Sequence, residues 1–311
     1  MDDFKYLSSL HLDKLKGKIV LITGVNGFIA SYLARFLLSI KVRVIGLGRQ
    51  SSNIKDPNFQ IIIQDVCDPI SKKADYIIHA ASKASPIYYG TQPVDVMKPN
   101  IIGTYNLLEA ARRGCEGFLF LSAGEIYGSI KGETDEKSYG SVNTLDVRSC
   151  YAESKRAGEM LCISYFKQYG VPVKIARLYH VYGKGINIRD GRVYSDFIGN
   201  IRNKENIVLK SDGSAVRSFI YVVDAVAGIL TVLLKGKSGE AYNIANKSVS
   251  IKTLAETLAK MFKLKVVQGK KTDNYMVSPV RYNYPSTAKL RRLGWKPKFS
   301  IKEGFTRSVR I

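Results

Sequence analysis

Acidic residues are scarce in this chain: among 311 residues, 26 Asp and Glu stand against 48 Lys and Arg, for a formal net charge of +22. Such a surplus attracts polyphosphates. The basic residues are nevertheless spread along the chain, without a long run or a recognisable nucleic-acid motif, so a Lys-rich surface serving small anionic ligands is expected and no nucleic-acid partner. No apolar run reaches membrane-spanning length, and no membrane partner is expected. The stretch from Met1 to Lys18 is polar and charged, lacks the apolar centre of a signal peptide, and reads as an N-terminal extension. Cys67, Cys115, Cys150 and Cys162 show no metal or redox spacing, and His11, His79 and His180 are scattered, so no metal site is expected. A reduced cytoplasm is the natural compartment. Internal repeats, low-complexity tracts and Pro/Ser linkers are also missing, so any lobes should share one interrupted fold.

What the chain does have is alternation. Strand-like apolar runs at 19–23, 42–47, 60–64, 75–80, 117–122 and 173–178 alternate with helical patterns at 27–40, 98–113 and 149–169. This predicts an α/β fold of the Rossmann type, a doubly wound parallel sheet. After Arg177 the pattern loosens into a loop-rich stretch, then returns to a helix over Val223 to Leu234 and a strand over Ala241 to Ile244. The end, from Ser250, reads as a small α/β cap. The expected division is an extension at 1–17, a dinucleotide-binding domain at 18–178 with 218–245, and a substrate lobe at 179–217 with 246–311.

Two local signals carry chemistry. The run Ile19-Val20-Leu21-Ile22-Thr23 leads into Gly24-Val25-Asn26-Gly27-Phe28-Ile29-Ala30, a strand, glycine turn and amphipathic helix in the order a dinucleotide fingerprint requires. Gly24 permits the tight turn, Gly27 lets backbone approach a pyrophosphate at the helix N-terminus, and Ala30 lets helix pack on strand. Further on, Tyr151 and Lys155 lie four apart on one helix face. An ammonium beside a phenol lowers a Tyr pKa normally near 10, towards the range where it exchanges a proton with a sugar hydroxyl.

With these residues in place, the chain resembles the extended short-chain dehydrogenase/reductases, in particular their nucleotide-sugar epimerase/dehydratase group, from Lys18 to the end. Asp65-Val66 matches the family's adenine-contacting pair, His79-Ala80-Ala81-Ser82 its fourth strand, and Asn100-Ile101-Ile102-Gly103-Thr104 the helix that follows. Ser122-Ala123-Gly124-Glu125-Ile126-Tyr127-Gly128 matches the catalytic strand. Asp190-Gly191-Arg192-Val193 with Phe197, the run Arg217 to Asp224, and Leu293-Gly294-Trp295 look most like the UDP-glucuronate decarboxylase branch. The resemblance implies that Gly24, Asn26, Gly27, Phe28, Ile29, Arg49, Asp65, Val66, Ala80, Ala81, Ser82, Asn100, Tyr151 and Lys155 hold the cofactor. It further implies Tyr151 and Lys155 as the catalytic pair, Arg217 and Arg281 on the substrate diphosphate, Val193 near the base, and His180 where many relatives have Asn.

Three departures shape the expected reaction. The family's catalytic Ser or Thr is Ala123 here, which leaves Ser122, Lys83 and Ser85 as alternative donors. The dehydratase acid is Gly124, while Glu125 remains as either a base or a positional residue. Gly48-Arg49, at the end of the second strand, lacks the Asp that grips a ribose 2′-hydroxyl and offers a cation suited to a 2′-phosphate; Arg49 could also stack on adenine. NADP(H) is therefore favoured, with NAD as the alternative. The expected function is an NADPH-dependent 4-ketoreductase acting on a nucleotide-linked 4-keto-6-deoxy sugar. The alternatives are a UDP-glucuronate decarboxylase, epimerase or dehydratase recycling NAD internally, and a non-catalytic NADP-sensing or nucleic-acid-binding relative. A homodimer is expected through the helices holding Asn100 and Tyr151, which carry apolar residues beyond one face's need: Leu107, Leu108, Ala111, Met160, Leu161 and Ile163.

Overall fold

In the computed structural model, residues 3–269, 276 and 278–310 are described. Along the chain these form α1 (Asp3–Ser8), β1 (Ile19–Thr23), α2 (Phe28–Ser39), β2 (Arg43–Gly48), β3 (Phe59–Ile63), β4 (Tyr76–His79), α3 (Pro93–Arg112) and β5 (Gly117–Ala123). There follow β6 (Glu133–Thr134), α4 (Cys150–Tyr169), β7 (Val173–Leu178), β8 (His180–Tyr182), α5 (Val193–Arg202), β9 (Ile207–Leu209), β10 (Val216–Tyr221), α6 (Val222–Lys235) and β11 (Glu240–Ile244). The last elements are β12 (Ser248–Ser250), α7 (Ile251–Phe262), β13 (Val266–Gln268), β14 (Tyr284–Pro285), α8 (Ala288–Arg291) and α9 (Ile301–Val309).

Seven strands pair in the order β11-β7-β5-β4-β1-β2-β3, all parallel. A parallel sheet must be covered on both faces, and alternation along β5 shows how. Leu119 and Leu121 join the core under α2 and α6, whereas Phe118 and Phe120 join the core under α3 and α4. α6 is buried from Val222 through Leu234, mostly apolar, with Asp224 and Thr231 the polar residues buried among them. The strand order reverses between β1 and β4, which opens a crevice at their C-terminal ends. The glycine turn after β1 and the end of β5 both face that crevice. Smaller pairings, β12-β10-β8, β13-β9 and β14-β6, join α5 and α7–α9 beyond it.

Several expectations shift. α3 begins at Pro93 rather than at residue 98, because proline suits a first helical turn, where its missing amide has no partner to lose; Pro99 in the interior masks the pattern. The stretch after Arg177 contains β8 and α5, whose Phe197, Ile198 and Ile201 are buried. Leu7 and Leu15, within the expected extension, are fully buried. Asp3 accepts hydrogen bonds from Tyr32 (3.0 Å) and Tyr221 (2.8 Å) and pairs with Arg307 (2.9 Å). Leu107, Leu108 and Ala111 are not surplus, since all three fill the chain's own core. The large apolar residues that these two helices leave exposed are Val94, Ile102, Tyr105, Met160 and Tyr169. Part of the expected cap, 270–275, 277 and 311, lies outside the described residues. Among those described, no helix is long and apolar enough to cross a membrane.

Candidate active site

Gly24 adopts φ +65°, and a Cβ there would stand 2.8 Å from Ala81 Cα, so the ends of β1 and β4 meet only because this residue is glycine. Thr23 reinforces the meeting: its Oγ1 accepts from the amides of Ala80 and Ala81, each at 3.1 Å. His79 lies 2.8 Å from Thr23 Oγ1 through Nδ1 and 3.0 Å from Pro99 O through Nε2. Burial, followed by the Lys155 charge, pushes the imidazole down to about 3 and keeps it neutral. A carbonyl only accepts, so Nε2 carries the proton and Nδ1 receives the Thr23 hydroxyl. Gly27 caps α2 without a side chain, and the first turn holds no acidic residue. That leaves amides and the positive helix end for an anion. The cradle fits the pyrophosphate of a dinucleotide.

Around it, Asn26 Nδ2 donates to Gln50 O (3.2 Å) and Ser51 O (2.9 Å), fastening the loop after β2 to the glycine turn. Arg49 on that loop is exposed, and a Cβ on Gly48 would meet nothing closer than 3.8 Å. Phe28 and Ile29 pack half-buried against the core. Asp65 accepts the Cys67 amide at 2.9 Å, and the Ser82 hydroxyl is buried without a hydrogen-bond partner among the described residues. The Val66 side chain is buried against Gly103 of α3. Asn100 is fully buried and donates to Val96 O and Ser154 Oγ, both at 3.0 Å, so its side chain ties α3 to α4.

Tyr151 and Lys155 lie together on α4, both buried. Lys155 Nζ donates to Leu121 O at 2.7 Å and lies 4.7 Å from the Phe120 ring centroid and 5.9 Å from that of Tyr151. The expectation that this ammonium lowers the phenol is corrected: burial, then the Glu125 charge, drives Tyr151 well above its ordinary value, outweighing Arg192 and Arg148. Burial also pushes Lys155 down to about 7. In this arrangement Tyr151 holds its proton.

Ala123 packs in one cluster with Tyr151, Tyr89, Cys150 and Val96. Strand alternation turns neighbouring Ser122 the other way, and its hydroxyl is buried without a partner among the described residues. Lys83 is held by Gln92 Oε1 and by Asp95 at 3.6 Å, over the Tyr88 ring. The Ser85 hydroxyl donates to Asp190 O. Lys83 and Ser85 are thus engaged with Gln92, Asp95 and Asp190, while Ser122 points to the other face of the strand. At Gly124 a Cβ would stand 2.4 Å from Tyr179 Cε1, so a ring fills the place of the missing acid. Glu125 pairs with Arg148 at 3.0 Å.

On the substrate side, Arg281 O accepts from the Val216 amide (3.0 Å) and from Arg217 Nη1 (3.2 Å), which sets Arg217 and Arg281 side by side. His180 at the start of β8 lies 5.9 Å from the Tyr194 ring and 5.6 Å from Phe219. Burial, then the charges of Arg217 and Arg192, keep it neutral. Val193 opens α5, half-buried. Three residues escaped the sequence reading as site members. Arg192 pairs with Asp190 at 3.1 Å and donates to Ala84 O, bridging two loops of the crevice; its place in the quoted motif was a usable signal. Tyr89 and Arg148 belong to no quoted motif; Arg148 lies three positions before Tyr151, whereas only the fold brings Tyr89 to it.

The profile described as the NAD dependent epimerase/dehydratase family matches residues 20–245. UDP-glucuronic acid decarboxylase 6 of Arabidopsis thaliana is 37% identical over 297 residues, covering 92% of this chain and 86% of that protein. UDP-glucuronic acid decarboxylase 1 of Danio rerio is 32% identical, covering 98% and 75%. Among solved structures, UDP-glucose 4-epimerase of Thermotoga maritima with UDP-glucose superposes with a TM-score of 0.82 at 26% identity, covering 94% and 97%. The dTDP-glucose 4,6-dehydratase DesIV of Streptomyces venezuelae, with NAD bound, gives 0.81 at 25%, covering 94% and 95%.

Proposed function

The chain belongs to the NAD-dependent epimerase/dehydratase family, an enzyme family of nucleotide sugars, and from that membership we propose that it reduces the 4-keto group of a nucleotide-linked 4-keto-6-deoxy sugar. The observation that carries the reading is the filling of position 124. The Tyr179 ring stands where a side-chain acid would project, and Ala123 adds no hydroxyl. Acid-assisted loss of water has no proton donor there, whereas ketone reduction needs only one proton at the C4 oxygen.

Tyr151, protonated in its buried setting, donates that proton. Lys155 supplies positive charge behind the phenol as it ionises. Arg217 and Arg281 pair with the substrate diphosphate, for which guanidinium forks suit phosphate oxygens. Gly24, Gly27 and the first turn of α2 hold the cofactor's pyrophosphate, with Arg49 on a 2′-phosphate. When bound, the nicotinamide cofactor supplies the hydride. Glu125, paired with Arg148, acts by position rather than as a base. We place the protein in the cytoplasm as a homodimer, with its dinucleotide unit at 18–178 and 218–245 and its substrate lobe at 179–217 and 246–311.

A second reading, decarboxylation or epimerisation of a UDP-sugar with NAD recycled internally, is favoured by the 37% identity to a UDP-glucuronic acid decarboxylase across nearly the whole chain and by the retained Glu125. Purified protein incubated with nucleotide-linked 4-keto sugars and NADPH, or with UDP-glucuronate and NAD, separates the two. Consumption of NADPH with formation of a 4-hydroxy product supports reduction. Release of carbon dioxide and a UDP-pentose without net change in cofactor installs the second reading instead.

A further inference from the structure

The catalytic tyrosine is built into a stack that continues through two residues outside any motif. The Tyr89 ring lies 5.3 Å from the Tyr151 ring, centroid to centroid, at 12° between planes. Tyr89 is 1% exposed, and its hydroxyl donates to Ala84 O at 2.9 Å, so the ring is fixed at its edge as well as its face. Over it lies the Arg148 guanidinium, its Cζ 4.6 Å from the ring centroid. Arg148 is in turn paired through Nη1 with Glu125 Oε2 at 3.0 Å, and its side chain is 6% exposed. The chain of contacts runs from a carboxylate through a cation and one ring to the catalytic ring. Its first member sits two residues beyond Ala123, at the end of the catalytic strand.

An arginine over a tyrosine face attracts ring electron density, and stacked aromatic pairs gain orientation beyond their buried area. A proton donor works only when its oxygen is held within a fraction of an ångström of the acceptor. With Ala123 unable to donate a hydrogen bond to the reacting oxygen, alignment of that oxygen falls more heavily on the phenol itself.

We propose that Tyr89 and Arg148 are positioning residues: the Glu125–Arg148–Tyr89 stack holds the Tyr151 ring in its proton-donating orientation and gives Glu125 a role in alignment. This rests on Tyr151 as the proton donor. Tyr151→Phe is therefore measured first on the same substrates, and its retention of turnover would sink the assignment of the donor independently of the stack.

The test compares Tyr89→Leu, Tyr89→Phe and Arg148→Met. Tyr89→Leu is expected to lower kcat about ten- to a hundredfold, the range in which misplacement erodes acid catalysis, with KM and nicotinamide-cofactor affinity within about threefold. Tyr89→Phe keeps the ring and should recover most of the turnover. Arg148→Met should lower kcat less. A readout that needs no substrate accompanies these: crystal structures of Tyr89→Leu and Arg148→Met should show the Tyr151 ring turned from its orientation in the unsubstituted protein. Thermal melts and cofactor titration identify a variant that has not folded, and Arg148→Met then decides alone. Unchanged kcat and an unturned Tyr151 ring in Arg148→Met overturn the proposal, as does Tyr89→Phe falling as far as Tyr89→Leu.

Discussion

Gly124 and Tyr179 occupy a single space: the ring of the one stands where a Cβ of the other would be, at 2.4 Å from Cε1. Tyr179 follows β7, 7% exposed, and so cannot swing into solvent without opening the sheet end. Gly124→Ala is therefore expected to destabilise by about 1–3 kcal/mol, the scale of overpacking in a filled core. A lower melting temperature in thermal unfolding checks this, with Tyr179→Leu restoring stability to the double variant. A Gly124→Ala melt matching wild type would show that the ring yields freely, and the steric exclusion of an acid at this position would fail.

Tyr151→Phe removes the phenolic hydroxyl and little else, because the ring keeps its stack on Tyr89. Turnover should fall on the order of a hundredfold or more, while cofactor binding followed by nicotinamide fluorescence stays near wild type.

Arg49 is exposed beside a Gly48 that has room for a side chain. If the guanidinium reads a 2′-phosphate, Arg49→Ala weakens NADPH by roughly 1.5–3 kcal/mol and leaves NADH nearly unchanged. Gly48→Asp should shift preference towards NADH, and added salt should erode NADPH binding more than NADH binding. Equal losses in a calorimetric titration would assign Arg49 to adenine stacking and move the internally recycling reading to the front.

Lys155 is held down to about 7 by burial, well below a free lysine. Between about pH 7 and its unfolded value the unfolded chain binds the extra proton, so this residue's destabilising effect is full below pH 7 and fades as pH rises. Lys155→Met should therefore melt higher than wild type at pH 6.5, by a margin that narrows towards pH 9. A margin independent of pH would place the lysine's titration outside this window.

Ile102, Tyr105, Met160 and Tyr169 remain exposed on α3 and α4, in contrast to the leucines that the two helices bury inward. Pairing of two copies through this face would form a four-helix bundle. Light scattering at micromolar concentration is expected to give a dimer, and Tyr105→Glu with Met160→Glu a monomer. A wild-type monomer would remove the dimer from the description.

Features fixed by local chemistry could be read from the sequence. The run from Ile19 to Ala30 specifies strand, turn and helix by residue type alone, and Tyr151 and Lys155 meet through helical spacing. What escaped depends on distant packing. Leu107 and Leu108 look surplus until both faces of a parallel sheet require covering. Tyr89 sits in a short turn before α3, and only the docking of α3 on α4 carries it to Tyr151. The sign of the Tyr151 shift was missed for the same reason: spacing shows the nearby ammonium, but not the burial that outweighs it.

The three contacts of Asp3 have a topological consequence. Arg307 lies 304 positions away, and Tyr221 begins the turn into α6, so the first and last helices of the described chain are pinned to each other across one carboxylate. Amide exchange in α9 should therefore quicken when Asp3 is replaced by Ala, because each of the two helices serves as the other's anchor.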